Sequence, residues 1–413
     1  MVAALVLGVG CATTDPATSQ TGMEAKRAAP DVASRWTLTL GPQERRDQQF
    51  IGLAISGGGS RAAVFGAAVM LELDRLGLLR QVDAISAVSG GTMPAALYAL
   101  DGRRDIWFRQ DVLDRVGYDF QGAILRGWAA PWQVLKSWFS DDARPQIVID
   151  LLDRELFHGA TYGDLNPERP KLLLNATNAL TGEPIVFSEE VFANLNRAAA
   201  VFPVSRAVYM SASYPGVFPP LMLASAGEPT ANGAGRGVTA YDGGTGDNLG
   251  LAALLRLLER ETTHQPLEAN FPDGCLVIGV DATPRARQEP EKPISAAAAL
   301  LANNRRHMLD RVGIAPGDQD RVMFGEFLVG QGPSRCRFWH VALRQLSEDD
   351  PLEARTVRTP TNLGLDREER ERLWVAAARL IQRGRQAAQT VGRATGQLES
   401  TQQALPIEQR LLR

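Results

Sequence analysis

A serine at a glycine corner is the first place where this sequence could do chemistry. Ser89 follows the apolar run Ala84–Val88, which predicts a buried strand, and it precedes Gly90 and Gly91. From Thr92 onward the sequence predicts a helix with a proline in its first turn. Ser89 would then lie on a sharp strand-to-helix turn, above the positive end of the helix dipole. That arrangement is a nucleophile elbow, although a serine that only caps a helix would have the same local sequence.

Backbone N–H groups near this corner could stabilise a negative charge. A glycine loop follows the apolar run Phe50–Ile55, and the carboxyl ends of parallel strands meet at one edge of a sheet. Glycine lets a substrate approach the backbone closely. We therefore expect an oxyanion hole for a tetrahedral intermediate, although each glycine corner alone is also explained by a tight turn. The predicted donors are the N–H groups of Gly57, Gly58, Gly59 and Gly90.

An attacking serine needs a general base, and the histidines fit this role poorly. Their local sequences favour structural or solvent-exposed positions for His158, His264, His307 and His340. Asp242 is the better candidate, because it follows an apolar run and precedes two glycines. Partial burial raises the pKa of a carboxyl group and makes its carboxylate a stronger base. Asp242 could instead form an Asx turn, and Asp247 is the competing carboxylate.

Strands and helices alternate around these corners, which predicts an α/β protein with a mostly parallel sheet. A βαβ unit is predicted from Phe50 to Leu100. Further strands are predicted at Lys171–Thr177, Ile185–Phe187, Val238–Tyr241, Cys275–Val280 and Arg337–Leu343. Further helices are predicted at Val204–Ala212, Leu251–Arg260 and Asp366–Gln389.

The chain resembles the patatin-like phospholipases, which are lipid acyl hydrolases with a Ser–Asp dyad. The resemblance spans about Phe50 to Val280 and rests on four segments in the family's order. These are Gly57–Arg61, Ser89–Gly91, Tyr214–Pro220, and Asp242–Gly244 followed by Asp247 and Asn248. Two positions depart from the family pattern: Ala87 replaces the first glycine of G-x-S-x-G, and Ala62 follows Arg61 where glycine is common.

This resemblance implies both an architecture and a reaction. It implies three layers, with a central, mostly parallel sheet between helices. It also implies hydrolysis of a lipid or other acyl ester through an acyl-serine intermediate, with Ser89 as nucleophile and Asp242 as base. Metal and cofactor are not needed for that reaction. Arg61 would either hold the glycine loop through several hydrogen bonds or attract a lipid phosphate, and we expect the structural role.

Composition excludes several other classes of protein. The chain has 413 residues, with 44 Lys and Arg against 47 Asp and Glu, and no basic stripe that would predict a nucleic-acid partner. Its cysteines, Cys11, Cys275 and Cys336, predict neither a disulfide framework nor a metal cluster. Cys275 lies in an apolar run and is expected in the core. No H-x-x-x-H pair is present, so a zinc enzyme is not predicted.

The N-terminus predicts a place in the bacterial cell envelope. Met1–Gly10 is apolar, Cys11 follows it directly, and a polar segment comes next, which resembles a lipoprotein processing site. Lipid on Cys11 would anchor the protein at a membrane surface. Gly8 stands where such sites usually carry leucine, and no basic residue precedes the apolar run. A cytoplasmic protein is therefore the alternative.

The predicted organisation has three parts. Residues 1–49 would be a signal and polar tether, residues 50–390 the hydrolase domain, and residues 391–413 a disordered tail. Within the domain, residues 281–390 would be an extension and residues 103–143 an insertion that is rich in aromatic residues. Those aromatic side chains would pack in the core, line an acyl pocket or contact a membrane interface.

Two other functions remain open at this point. Gly57, Gly59 and Ala62 follow the spacing of a dinucleotide-binding fingerprint, but the second strand does not end in the acidic residue that holds a ribose. A lipid-binding protein without catalysis is the other alternative, because a fold does not guarantee activity. The presence of Ser89, Asp242 and the glycine loop together favours the hydrolase.

Overall fold

The computed structural model describes residues 13–14, 38, 40, 48–102, 109–129, 143–195, 197–224, 237–285, 296–330 and 334–398. In this part of the chain a mixed sheet of 10 strands forms the centre of the fold. The strands are β1 (Thr13–Thr14), β2 (Phe50–Ile55), β3 (Ala84–Val88), β4 (Lys171–Asn178), β5 (Pro184–Val186), β6 (Leu221–Ala224), β7 (Gly237–Asp242), β8 (Cys275–Asp281), β9 (Phe324–Leu328) and β10 (Arg335–Ala342).

Helices connect the strands of this sheet. They are α1 (Gly59–Arg75), α2 (Thr92–Leu100), α3 (Arg109–Val116), α4 (Phe120–Ala129), α5 (Ala143–Leu152), α6 (Glu189–Asn194), α7 (Val204–Ala212), α8 (Gly244–Asp247), α9 (Leu251–Glu261), α10 (Ala296–Arg311), α11 (Pro351–Thr356) and α12 (Arg367–Leu398). The predicted βαβ unit is present, since β2, α1 and β3 follow in order and the two strands pair in parallel.

The sheet is parallel in its middle and mixed towards its edges. Its order is β1-β6-β7-β4-β3-β2-β8-β10-β9, with β5 paired to β4. From β4 to β10 each neighbouring pair in this row is parallel, whereas β7 runs antiparallel to both β4 and β6. The predicted α/β class with a mostly parallel central sheet is confirmed.

Helices cover both faces of the sheet because its central strands are apolar on both sides. In β2, Ile51, Leu53 and Ile55 belong to one buried cluster with residues of α1, α2 and α12. Phe50 and Ala54 of the same strand belong to a second buried cluster with α9 and the end of α10. Alternation along a strand places these two sets on opposite faces. The predicted three-layer arrangement follows directly from this pattern.

Two details of the predicted organisation differ from the structure. The segment predicted to be a tether contributes β1, which pairs in parallel with β6. The tail predicted from residue 391 begins inside α12, which continues to Leu398. Gly392 and Gly396 lie within that helix, since an interior glycine costs only about 1 kcal/mol relative to alanine. The division into a tether, a hydrolase domain and a tail otherwise stays a prediction.

The prediction for the cysteines is corrected by the structure. Cys275 and Cys336 lie opposite each other on the parallel strands β8 and β10, with Cα atoms 4.7 Å apart, and form a disulfide. Both side chains are buried, so Cys275 is also the core residue that was expected. The two cysteines are 61 positions apart in the sequence, so this register depends on the path of the intervening chain and cannot be read from local sequence.

The predicted aromatic insertion is described only in part. Its described residues form α3, α4 and the first residue of α5, and Phe120 and Ile124 are buried in the main core. Trp107, Trp132 and Trp138 lie outside the described residues. A pocket or a membrane contact formed by the aromatic side chains therefore stays a prediction.

Candidate active site

Ser89 lies where β3 ends and a 3-10 turn, Ser89–Gly91, leads directly into α2. Its φ is +50°, a left-handed value that costs a residue with a Cβ atom about 1–2 kcal/mol. Glycine is the residue that usually adopts such a φ, but here the serine before the two glycines adopts it. Residues held in such conformations persist only where the surrounding structure fixes them. The side chain is buried, at 8% exposure.

Gly90 is required by a close contact rather than by its own conformation. A Cβ atom at this position would stand 2.0 Å from the carbonyl oxygen of Gly59. The serine corner and the glycine loop therefore touch backbone to backbone. The N–H of Gly90 lies in the first turn of the helical segment, where N–H groups have no acceptor within the helix.

The N–H groups of the glycine loop differ in whether they already have an acceptor. Gly58 and Gly59 have φ values of +137° and +61°, and their N–H groups stand at the N-terminus of α1, where the helix supplies no acceptor. The N–H of Gly57 donates to the carbonyl of Asn248 at 2.9 Å. Of the four predicted donors, Gly57 is therefore already engaged within the protein.

Arg61 ties the glycine loop to distant parts of the chain. Its Nε donates to the carbonyl of Ala282 at 2.7 Å, and its Nη1 donates to the carbonyl of Thr359 at 2.8 Å. Burial lowers the pKa of Arg61 to about 10, and the negative charge of Asp281 opposes that shift. The residue is only 2% exposed. This burial favours the predicted structural role over contact with a lipid phosphate.

Asp242 lies near Ser89 because of a strand arrangement that the sequence did not predict. We expected parallel strands to bring the corners to one edge, but β7 is antiparallel to β4. Val88 pairs with Asn175 on one side of β4, while Asp242 pairs with Ala176 on the other side. β4 thus extends past the end of β3 and carries the end of β7 to the same level.

The Asp242 carboxylate is buried and accepts the N–H of Gly244 at 2.7 Å. It lies close enough to the Ser89 side chain for that hydroxyl to lower its pKa. Burial raises the pKa of Asp242 to about 6, and the bonds from Ser89 and Gly244 limit that rise. A carboxylate with this pKa is ionised at neutral pH and basic enough to accept a proton from a serine hydroxyl. The structure therefore brings together the two residues predicted to be nucleophile and base.

The Asp247 carboxylate bonds to the backbone of the turn that follows it. Its Oδ1 accepts the N–H of Leu249 at 3.0 Å, and its Oδ2 accepts the N–H of Ala252 at 2.6 Å. These bonds hold the turn that begins α9, where a negative charge is favourable at a helix N-terminus. The competing carboxylate is thus committed to the backbone that follows Asp242.

The histidines lie as the sequence suggested. His158, His264 and His307 are exposed. His340 is fully buried, with its Nε2 3.2 Å from Oδ2 of Asp281. Burial lowers the pKa of His340, and Asp281 opposes that shift. Its described polar partners are therefore in the core around β8 and β10.

Sequence reasoning missed two residues that support the site. Ser211 accepts the N–H of Ser89 through its hydroxyl at 2.9 Å. Asn304 of α10 donates to the carbonyl of Thr245 at 2.8 Å, in the helical turn that follows Asp242. The position of Ser211, just before the Tyr214–Pro220 segment, was the available signal. The contact of Asn304 depends on tertiary packing alone.

The predicted lipidation site is not among the described residues. Cys11 and the apolar segment before it lie outside the described residues. Within the described ranges, no group of His, Cys, Asp and Glu has the arrangement of a metal site. No helix in those ranges combines the length and the apolar character needed to cross a bilayer.

Comparison with known proteins finds one matching family and several similar folds. The sequence model of the patatin-like phospholipase family matches residues 53–255. Human GIVD cytosolic phospholipase A2 is similar in structure, with a TM-score of 0.52 and 14% identity over 92% of this chain and 63% of that protein. VipD from Legionella pneumophila has a TM-score of 0.37 and 14% identity, over 81% of this chain and 66% of its own.

The family match covers part of this chain, and the structural match covers part of the human protein. No curated protein sequence matches the chain. The chain spans less than two thirds of the length of the human phospholipase, and at this identity the likeness concerns the fold alone. The family match includes the Ser89 corner, the Asp242 corner, the glycine loop and the second half of the strand before that loop. Residues 53–255 of this chain thus belong to the patatin-like phospholipases, a family of lipid hydrolases.

Proposed function

We propose that this protein is a serine lipid acyl hydrolase that cleaves carboxylic esters with a Ser89–Asp242 dyad. Phospholipids and lysophospholipids are the proposed substrate class, in line with the family to which residues 53–255 belong. The observation that carries the proposal is that adjacent residues of β4 bring the Ser89 corner and the end of β7 together, where the buried Asp242 carboxylate interacts with the Ser89 side chain. The strained backbone of Ser89 supports it independently.

In the proposed first half-reaction, Asp242 accepts the hydroxyl proton of Ser89 as the serine oxygen attacks the ester carbonyl carbon. The carbonyl oxygen becomes an oxyanion, for which we propose the N–H groups of Gly58, Gly59 and Gly90 as donors. Gly57 would support the loop instead, because its N–H already donates to Asn248. The intermediate then expels the alcohol, which takes the proton from Asp242, and leaves an acyl-serine.

In the second half-reaction, water replaces the alcohol. Asp242 accepts a proton from the attacking water, and the same N–H groups stabilise the second oxyanion. Collapse of that intermediate breaks the bond between the acyl group and Ser89, and the proton on Asp242 returns to the serine oxygen. One ester and one water give one fatty acid and one alcohol.

The proposal is tested by ester hydrolysis and by labelling. Purified full-length protein is given p-nitrophenyl esters and phosphatidylcholine vesicles, beside the variants Ser89→Ala and Asp242→Asn. We expect both variants to lose activity, since a general base contributes about 10²–10⁴-fold. A fluorophosphonate should label Ser89 in the parent protein. The matched control is Ser205→Ala, another buried serine, in the first turn of α7.

The outcomes separate the competing functions. Equal hydrolysis by the parent protein and by Ser89→Ala would contradict the dyad. A parent protein that binds vesicles without releasing fatty acid would instead be a lipid-binding protein without catalysis. Tight binding of a nicotinamide dinucleotide without ester hydrolysis would favour the dinucleotide-binding alternative.

We also propose that the protein is held at the bacterial cell envelope by lipid on Cys11. The support is the apolar segment Met1–Gly10 directly before that cysteine. Mass spectrometry of the N-terminal peptide from membranes should find diacylglyceryl on Cys11. An unmodified Met1 in the soluble fraction would contradict this localisation.

A further inference from the structure

The end of α7 contacts both corners of the active site. Ser211 lies in the last turn of this helix and is fully buried. Its hydroxyl oxygen accepts the N–H of Ser89 at 2.9 Å, and its hydroxyl proton is donated to the carbonyl of Asn175 at 2.5 Å. Its own carbonyl oxygen accepts the N–H of Gly243 at 3.2 Å. One residue thus bonds to the backbone on each side of the dyad.

The bond to Ser89 acts where the backbone is strained. The φ of +50° at Ser89 is disfavoured for a residue with a side chain, so neighbouring groups must hold it. The hydroxyl of Ser211 is suited to this task, because its proton is already directed at Asn175. Its lone pair is therefore oriented toward the N–H of Ser89 before substrate arrives.

The same helix end fixes the acid. Asp242 donates its N–H to the carbonyl of Ser213 at 3.1 Å, and Gly243 donates to Ser211. A displacement of this short segment would therefore move the nucleophile and the base together. Loss of the hydrogen bonds to only one of the two corners would change the distance between the nucleophile and the base.

We propose that Ser211 is a positioning residue that holds Ser89 in register with Asp242. This inference rests on the proposed function, because it assigns Ser211 a part in that reaction. Ser211 contacts neither substrate nor reacting atoms in this proposal. It acts through the backbone of Ser89, so its loss should slow the chemical step and leave binding of substrate intact.

The decisive experiment compares Ser211→Ala with Ser205→Ala. Both changes remove the hydroxyl of a buried serine in α7, but Ser205 lies at the opposite end of the helix. We expect Ser211→Ala to lower kcat by about 10²-fold with KM unchanged, which is the typical result of a small misplacement of reacting groups. Labelling of Ser89 by a fluorophosphonate should slow in parallel. Ser205→Ala should change none of these values.

A graded variant covers the case in which Ser211→Ala folds poorly. In Ser211→Cys a sulfur of similar shape replaces the hydroxyl oxygen and accepts a hydrogen bond only weakly. We expect its kcat to lie between those of the parent protein and Ser211→Ala. Equal kcat values for Ser211→Ala and Ser205→Ala, or a change in KM alone, would overturn the positioning role.

A readout without activity separates this inference from the proposed function. Hydrogen exchange of the Ser89 amide is followed by mass spectrometry of the peptide that contains β3 and Ser89. Faster exchange in Ser211→Ala than in Ser205→Ala supports the hydrogen bond and its positioning role, even if the parent protein hydrolyses no ester. Unchanged exchange contradicts the positioning role, whereas absent hydrolysis by the parent protein contradicts the proposed function.

Discussion

Asp242 is the last residue of β7 and Asp281 is the last residue of β8, and both carboxylates are buried. At the Asp281 corner, Arg305 donates from its Nε at 2.6 Å, and His340 lies at 3.2 Å. Burial alone would raise the pKa of Asp281, but the Arg305 charge and the His340 hydrogen bond hold it far below its usual range. At the Asp242 corner, burial prevails over hydrogen bonds and raises the pKa to about 6.

This difference separates a structural carboxylate from a chemical one. A negative charge that is matched by a buried cation is stable as an ion and has little tendency to accept a proton. A buried carboxylate that accepts a backbone N–H and lies beside a hydroxyl keeps that tendency near neutral pH. The same helix serves both corners, because Asn304 supports the turn after Asp242 and Arg305 pairs with Asp281.

The comparison is tested most strongly by the paired variants Asp242→Asn and Asp281→Asn. We expect Asp242→Asn to lower kcat by about 10³-fold, because the base is lost, while the protein stays folded. We expect Asp281→Asn to lower the free energy of unfolding by about 3–5 kcal/mol, because the buried Arg305 loses its nearest carboxylate. Urea unfolding and ester hydrolysis measure the two effects. A large loss of kcat per folded molecule in Asp281→Asn would remove the distinction.

The two carboxylates should also give opposite pH dependences of stability. The folded-state pKa of Asp242 is about 6 against an ordinary 3.8, so its ionisation costs stability as pH rises through this range, by about 3 kcal/mol in total. Asp242→Asn should therefore gain stability over the parent protein between pH 4 and pH 7. For Asp281 the pKa is lowered, so its stabilisation is present above the ordinary value of 3.8 and is lost as pH falls below it.

Free energies of unfolding, measured between pH 3 and pH 8 for the parent protein and both variants, test these two pH dependences. The difference between Asp281→Asn and the parent protein should shrink toward the acid end. Activity supplies a second test, since kcat/KM should rise through about pH 6 as Asp242 ionises. Parallel stability curves for both variants would contradict the assignment of the two charge states.

The smallest effect is expected for a substitution in α10, the helix that contacts both the Asp242 and the Asp281 corner. Asn304→Ala removes the hydrogen bond to Thr245, which is worth about 1 kcal/mol, and should lower kcat by several-fold through the turn after Asp242. Asn303→Ala is the matched control, because Asn303 is exposed and bonds to Arg306 on the same helix. Steady-state kinetics distinguish them. Equal kcat values would show that α10 does not influence the acid corner.

The sequence was sufficient for the elements around the dyad because their signals are local. The apolar runs of β2 and β3 are bounded by glycines, and α7 was predicted from Val204 to Ala212, where the structure has it. Ser89 and Asp242 stand at such boundaries. Their chemistry could therefore be inferred before any contact between them was known.

The remaining features depend on pairings between distant segments. The antiparallel direction of β7 follows from its place beside β4, which no local pattern records. The pairing of Cys275 with Cys336 depends on the register of β8 against β10. The left-handed conformation of Ser89 was also missed, because glycine is the usual residue at positive φ and two glycines follow it.

The place of β8 in the sheet has a practical consequence. β8 lies between β2 and β10, yet it begins at Cys275, beyond the residues 53–255 that match the family. A fragment cut after α9 would leave one edge of β2 unpaired, and Phe50–Ile55 is an uncharged, fully buried strand. Bare edges of this kind associate with other chains. We therefore expect a fragment that ends after α9 to aggregate, because its strand β2 has lost its partner β8.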